Sequence, residues 1–168
     1  LAFVAKAQVP SGHAVRTWLP LYILAQCLGG FFGALFVAVM FSSPLAALSH
    51  SVAAPGGVFG CYPNPAFGTG AALVSEVLGT ALLAAGCISF GSSWLVGSWL
   101  SALVMVFAPF SGAGFNPARD LGPRLVAILW GFDVSHTMAF FFSHYVAGTV
   151  LGAVLGMATI QFLTKKED

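Results

Sequence analysis

Charged residues are scarce in this 168-residue chain, and their scarcity excludes several classes of protein. They make up 7% of the sequence, against 58% hydrophobic residues and a mean hydropathy of +0.93. A soluble domain carries about 25% charged residues, so this chain could not cover a soluble surface with solvated groups. The net charge of +1 provides no basic stripe for phosphates, which argues against a nucleic-acid partner. The composition instead indicates a protein of the lipid bilayer.

Cysteine is also rare, and the reactive residue types form no pattern that indicates catalysis. The three cysteines are spaced without a CxxC or a Cys/His cluster, so we predict no disulfide and no metal site. No Ser-His-Asp, Cys-His or paired-carboxylate arrangement has reason to converge. We therefore expect neither an enzyme nor a cofactor.

Long uncharged stretches predict four membrane-spanning helices. No charge lies between Arg16 and Glu76, between Glu76 and Arg119, or between Asp133 and Lys165, which are gaps of 59, 42 and 31 residues. Because a spanning helix needs about 20 apolar residues, these gaps hold one span with a loop, most of two spans, and one span. The predicted spans cover about residues 18–41, 71–89, 94–110 and 137–163. The Gly, Pro and Ser of Ser42–Gly70 predict an irregular loop.

Two further segments are too polar to span. Residues 1–17 are interrupted by Lys6, Pro10 and Arg16. A helix from Pro117 to about Leu129 would be about 20 Å long, too short for a hydrocarbon core of about 30 Å. Short helices at that depth are tolerated only where protein buries them or where they line a cavity. We therefore predict an all-α membrane protein of four spans, with a re-entrant loop and half-helix over residues 111–130.

The start of this half-helix is the strongest candidate for a functional site. Asn116 suits the N-cap and Pro117 the first helical position, and the following N–H groups carry partial positive charge. With the Asn116 amide and the fixed cation of Arg119, they suit a narrow pore that passes neutral solutes and repels cations and protons. An ordinary capped helix with an Asp120–Arg124 pair at i, i+4 is the alternative. Between apolar spans, however, charged residues are functional candidates.

Glycine pairs at GxxxG spacing occur in the first and last predicted spans. They are Gly29 with Gly33, and Gly148 with Gly152 and Gly156. Small residues at this spacing let helices approach closely in lipid. Generic helix packing explains both sets, and two equivalent elements of an inverted repeat would also explain them.

The residues from Gly112 to Arg124 resemble the second signature of the aquaporin, or major intrinsic protein, family. Asp120 and the Leu-Gly-Pro-Arg after it resemble the aquaglyceroporin branch. Leu19–Gln26, Gly57–Pro63 and Glu76–Leu83 resemble the family's third span, outer loop and fourth span. The resemblance implies an aquaporin-like bundle, part of a six-helix inverted-repeat fold. It also implies that residues 1–17 are the remnant of a first half-helix and a cytoplasmic loop, in a chain truncated at its N-terminus.

The resemblance further implies a passive channel for glycerol, water and urea. Asn116, Pro117 and Ala118 would form its Asn-Pro-Ala motif, with Asn116 donating to solute at mid-pore. Arg119 would belong to the selectivity filter, and counting along the family pattern places Val104 and Ala113 at two other filter positions. Water-selective members usually place His where Val104 stands, and glycerol channels usually place Gly.

Two polar residues outside this signature receive assignments from the resemblance. Glu76 would accept hydrogen bonds from the backbone of the re-entrant loop and, with Arg124, would support it. An interfacial Glu at a helix end is the alternative for Glu76. The second Asn-Pro-Ala, Asn64–Ala66, would be only a turn of the outer loop, because the next span begins almost at once.

Assembly and orientation are also implied. The family forms homotetramers, and we expect a single multi-pass channel domain over residues 1–168 in the plasma membrane. Lys165 and Lys166 predict a cytoplasmic C-terminus. We expect the complete gene product to conduct and these residues alone not to. A non-conducting subunit that modulates full-length subunits is one alternative. A secondary transporter is a second, and it would need ion-coupling carboxylates at mid-membrane, for which Glu76 is the weak candidate.

Overall fold

The regular structure of the chain is helical. The computed structural model describes residues 12–47, 56–132 and 135–165, and no strand occurs within these ranges. The elements are α1 (Gly12–Met40), α2 (Ser42–Ala47), α3 (Gly56–Phe59), α4 (Gly68–Ser89), α5 (Ser93–Ser111), α6 (Pro117–Leu129), α7 (Ser135–Phe140), a π-helix (Phe141–Gly148) and α8 (Thr149–Thr164). The prediction of an all-α fold is confirmed.

Four helical stretches of the described residues are long and apolar enough to cross a bilayer. They are Trp18–Met40, Gly68–Ser89, Ser93–Ser111 and Met138–Thr164, which confirms the four predicted spans to within three residues at each end. Helix α1 itself begins earlier, at Gly12.

The prediction of an irregular loop after the first span is wrong for two segments, α2 and α3. Helix α2 extends the hydrogen bonding of α1, because the amide of Phe41 donates to Val37 O and that of Leu45 to Phe41 O, both at 2.9 Å. The side chain of Leu45 is buried, as is that of Phe59 in α3. The ring of Phe59 lies 5.7 Å from that of Phe132. Burial of these apolar side chains stabilises helices that the local Gly and Pro content disfavours.

Asn64, in the Asn-Pro-Ala sequence of residues 64–66, occupies a turn, as predicted. Its side-chain Nδ2 donates to Pro109 O at 2.8 Å, and its Oδ1 accepts from the amide of Ala66 at 3.0 Å. Its own amide donates to Phe110 O at 2.9 Å. Asn64 therefore satisfies carbonyls at the C-terminal end of α5, which have no partner within that helix. Helix α4 begins directly after the turn, at Gly68.

The described residues form two compact units. The first contains α1 to α3 and α6 from Ala118 onward, and the second contains α4, α5, α7, the π-helix and α8. In the first unit, α6 meets α1 at the backbone, because a Cβ at Gly122 would overlap Cys27 O and lie 2.5 Å from Phe31 N. A Cβ at Gly30 would lie 3.1 Å from Cδ of Pro123.

In the second unit, α4 packs against α8, α5 and the π-helix. A Cβ at Gly152 would overlap the carbonyl oxygen of Val77, and one at Gly156 would overlap that of Ala81. A Cβ at Gly148 would lie 3.0 Å from Cδ1 of Leu73. The small residues of α8 therefore allow it to touch the backbone of α4.

The two GxxxG sets differ in their surroundings. Apart from the adjacent backbone of α1 itself, no atom of the described residues lies within 4 Å of a Cβ placed on Gly29 or Gly33. The close approach of α1 is made by Gly30, which contacts α6 in the first unit. The glycines of the first and last spans therefore do not make matching contacts. These contacts give no support to the hypothesis that the two spans are equivalent elements of an inverted repeat.

Replacing Gly152 by alanine is expected to destabilise the chain, whereas Gly33→Ala is expected to leave its stability unchanged. The added methyl group at Gly152 meets backbone atoms, which cannot turn aside as a side chain does, and overpacking of this kind costs about 1–3 kcal/mol. The midpoint of thermal unfolding in detergent measures the difference. Equal midpoints for the two variants would contradict the assigned contact.

Candidate functional site

The loop between α5 and α6 has an unusual backbone. Helix α5 ends at Ser111 and is capped by Gly112, whose φ of 81° is left-handed and whose amide donates to Ala108 O. Ala113 and Phe115 follow with φ values of 53° and 52°. A left-handed conformation costs a residue with a Cβ about 1–2 kcal/mol, so it persists only where the surroundings enforce it.

Glu76 of α4 holds this loop. Its Oε1 accepts from the amide of Gly114 at 2.8 Å and from Oγ of Ser111 at 2.6 Å, and its Oε2 accepts from the amide of Phe115 at 2.8 Å. The side chain is fully buried, at 0% exposure. Hydrogen bonds to an ionised group are about twice as strong as neutral ones, so these donors offset the cost of burying a carboxylate. The expected partners of Glu76 are therefore present.

The same hydrogen bonds orient the loop carbonyls. No peptide bond of the described residues is cis, so each carbonyl points opposite to the N–H of its own peptide unit. The amides of Gly114 and Phe115 point at Glu76. The carbonyl oxygens of Ala113 and Gly114 therefore point away from it, and the loop presents two successive acceptors on its other side.

Gly79 of α4 also contacts the loop, and the sequence alone did not mark it as a site residue. A Cβ at Gly79 would overlap the ring of Phe115 and lie 3.2 Å from Cδ2 of Phe107. Phe115 is buried with Leu103 and Ala113 in one hydrophobic cluster. Gly79 follows Glu76 by three residues, which places both on one face of α4. This spacing of three residues from Glu76 is the feature of the sequence that could have identified Gly79.

Two buried serines were also missed. Oγ of Ser111 donates to Glu76 and accepts from the amide of Ala113 at 3.2 Å. Oγ of Ser75 lies 3.3 Å from that hydroxyl and donates to Phe107 O at 3.3 Å. A serine in an apolar span gives no sequence signal for such a network, because the Ser111–Glu76 and Ser75–Ser111 contacts join residues 35 and 36 positions apart.

Helix α6 has the predicted bounds, Pro117 to Leu129, with Asn116 immediately before it. Its 13 residues extend about 20 Å. This confirms the prediction of a helix too short to cross the hydrocarbon core. Asp120 and Arg124 are both fully buried, and Nε of Arg124 donates to Oδ2 of Asp120 at 2.7 Å. The i, i+4 pair considered from the sequence is therefore present, inside the protein and not at its surface.

The three residues assigned to a filter lie in different surroundings. Val104 is exposed on α5, Ala113 is buried in the hydrophobic cluster with Phe115, and Arg119 is exposed on α6. Ala118, the last residue of the motif, is buried. The assignment of Val104, Ala113 and Arg119 to one filter stays a prediction.

The chemistry of the loop is that of hydrogen-bond exchange. Its fixed groups are two carbonyl acceptors and the start of a helix. No group of three or more His, Cys, Asp or Glu side chains that could hold a metal ion is found across residues 12–47, 56–132 and 135–165. The arrangement suits a neutral solute that both donates and accepts hydrogen bonds.

Comparison with known proteins gives three consistent similarities. The model of the major intrinsic protein family matches residues 4–156. The chain is 28% identical over 165 residues to Aquaporin-1 of Rhizopus delemar, a match that covers 88% of this chain and 54% of that protein. It is 31% identical over 163 residues to the glycerol uptake facilitator protein of Pseudomonas aeruginosa, with 82% and 58% covered.

A solved structure shares the fold. The X-ray structure of the aquaglyceroporin from Plasmodium falciparum matches with a TM-score of 0.70 at 20% identity, and the match covers 93% of this chain and 67% of that one. The aquaporin-like architecture predicted from the sequence is therefore confirmed. The chain spans about half the length of the two relatives described above.

Proposed function

Because the chain belongs to the major intrinsic protein family, a family of channels and not of enzymes, we propose that it forms part of a passive channel for glycerol. Water and urea are the other proposed solutes. The observation that carries the proposal is the loop held by Glu76, which leaves the carbonyls of Ala113 and Gly114 pointing away from the carboxylate.

A neutral solute crosses by exchanging water for these fixed groups. Its hydroxyl groups donate to the carbonyls of Ala113 and Gly114, and its oxygens accept hydrogen bonds from the side-chain amide of Asn116. Because Glu76 holds the loop in place, little reorganisation is needed as the solute passes. The same arrangement opposes cations, because the start of α6 carries partial positive charge and Arg119 adds a full one.

Glycerol is favoured over water alone by the side chain at one proposed filter position. Val104 stands where water-selective members usually place His, and its small apolar side chain leaves room for a carbon skeleton. The similarity to the glycerol uptake facilitator protein supports this assignment. Residues 1–168 would form one channel domain of a homotetramer in the plasma membrane, with the C-terminus in the cytoplasm.

Stopped-flow swelling of proteoliposomes tests the proposal. Vesicles that contain the complete gene product are expected to swell in a glycerol gradient faster than empty vesicles, and not in a sorbitol gradient. Ionophores that dissipate proton and sodium gradients are expected to leave the rate unchanged. Swelling that depends on an ion gradient would indicate a coupled transporter, and no glycerol-driven swelling would indicate a non-conducting subunit.

A further inference from the structure

The last span contains a π-helix, Phe141–Gly148, and its two consecutive buried polar residues bind two other helices. Nε2 of His144 donates to Thr69 O in α4 at 2.9 Å, and the hydroxyl of Tyr145 donates to Ser111 O in α5 at 2.7 Å. A π-helix is rare and is often found at functional sites. In this π-helix two neighbouring side chains, His144 and Tyr145, are both buried.

The hydroxyl of Thr149 supports this turn. Its Oγ1 donates to the carbonyl of Tyr145 at 2.8 Å and lies 3.0 Å from that of Val146. Thr149 is buried. Its hydroxyl therefore adds hydrogen bonds to carbonyls of the π-helix, where the ordinary α-helical pattern is interrupted.

Tyr145 connects this turn to the carboxylate that holds the loop. The side chain is fully buried, at 0% exposure. Its acceptor, the carbonyl of Ser111, belongs to the last residue of α5, where carbonyls have no partner within the helix. The hydroxyl of Ser111 donates in turn to Glu76. Tyr145 thus fixes the residue that shares Glu76 with the loop amides.

The ring of Tyr145 also touches the loop backbone. A Cβ at Gly114 would lie 2.7 Å from Cδ1 and 3.3 Å from Cε1 of Tyr145. The absence of a side chain at Gly114 therefore lets the loop rest against the ring. Oε2 of Glu76 would lie 3.2 Å from the same Cβ. The ring of Tyr145 and the carboxylate that holds the amide of Gly114 therefore lie on the same side of the loop, and both contact it there.

From these contacts we propose that Tyr145 is a positioning residue of the pore loop. Its hydroxyl fixes the end of α5, and its ring, in contact with Gly114 beside Glu76, limits how far the loop backbone can move. Tyr145 thereby sets which solutes the loop accepts. The claim about position stands on the contacts alone, whereas the claim about solutes rests on the proposed function.

The test compares Tyr145→Phe, which removes only the hydroxyl, with Tyr22→Phe, the same change at an exposed position of α1. In the 168-residue chain, the amides of residues 112–116 are expected to exchange hydrogen about tenfold faster in Tyr145→Phe, the factor that corresponds to one buried hydrogen bond. Exchange in α8 is expected to stay at the wild-type rate. Tyr22→Phe is expected to match the wild type everywhere.

Cys61 provides a second reporter of loop position. Its Sγ is buried and lies 3.5 Å from Gly112 O. In a background that carries Cys27→Ser and Cys87→Ser, a maleimide is expected to label Cys61 faster in Tyr145→Phe than in Tyr22→Phe. Equal labelling together with equal loop exchange would overturn the proposal.

Flux of the complete gene product tests the claim about solutes. The ratio of glycerol to water permeability is expected to change in Tyr145→Phe, while the amount of protein in the vesicles does not. A wild-type ratio would overturn the assigned role in solute choice. If the wild type carries no glycerol, the proposed function fails, and loop exchange and Cys61 labelling still decide the position claim.

Thr149→Val covers the case in which Tyr145→Phe does not fold. It removes the hydroxyl that supports the carbonyl of Tyr145 and leaves the ring intact. Loop exchange is expected to rise in the same direction by a smaller factor. Wild-type loop exchange in Thr149→Val would then contradict the proposal.

Discussion

Replacing Glu76 by leucine is expected to abolish glycerol flux. Three donors, the hydroxyl of Ser111 and the amides of Gly114 and Phe115, would lose a buried acceptor. Each buried donor left without a partner costs about 1–3 kcal/mol. The left-handed residues of the loop would then lack the contacts that enforce their conformation, and the carbonyls of Ala113 and Gly114 would no longer be held in line.

Glu76→Gln is expected to retain part of the flux. Its remaining oxygen can still accept from Ser111 and Gly114, but its amino group would face the amide of Phe115. Leu78→Ala, on the exposed face of the same helix, serves as the control for an ordinary substitution in α4. Swelling rates in a glycerol gradient rank the variants, and a Glu76→Leu channel as fast as the control would refute the assigned role of the carboxylate.

Replacing Arg124 by leucine is expected to cost the chain most of its stability. The substitution leaves the carboxylate of Asp120 buried at 0% exposure without its ion-pair donor Arg124. Breaking a buried ion pair by removing one partner costs about 3–5 kcal/mol, a large fraction of the about 5–15 kcal/mol that stabilises a typical domain. The yield of folded protein and its unfolding midpoint in detergent measure the loss.

The double variant Asp120→Leu with Arg124→Leu tests whether the stability loss in Arg124→Leu comes from the unpaired carboxylate of Asp120. Hydrophobic replacement of both partners is often nearly neutral, so the double variant is expected to recover much of the stability that the single variant loses. Leu129→Ala, an exposed position of the same helix, controls for substitutions in α6. A double variant as unstable as Arg124→Leu would show that the ion pair is not the cause.

The sequence predicted the features of this fold that depend on local composition. The spacing of the charges located four spans, because each ionised residue is expensive in hydrocarbon and apolar residues fill the gaps between them. The bounds of α6 followed from Pro117, which suits the first position of a helix. The resemblance to a known family, and not the periodicity, assigned Glu76 to the loop.

Contacts between distant residues set the features that the sequence did not predict. Gly114 contacts the ring of Tyr145, and Gly79 contacts the ring of Phe115. The sequence does not distinguish these glycines from glycines that face lipid. The π-helix has no compositional signal, and the partners of its residues His144 and Tyr145 lie in α4 and α5, far away in the sequence. Short helices after α1 depend likewise on burial of their apolar residues.

The most direct measurement compares glycerol flux with cation leak in the same proteoliposomes of the complete gene product, for the wild type and for Arg119→Ala. We expect rapid glycerol entry without a proton or potassium leak in the wild type, because the guanidinium of Arg119 and the start of α6 oppose positive charge. Arg119→Ala is expected to keep glycerol entry and to gain a leak. A wild type that admits no glycerol, or that leaks cations as Arg119→Ala does, would contradict the proposed channel function.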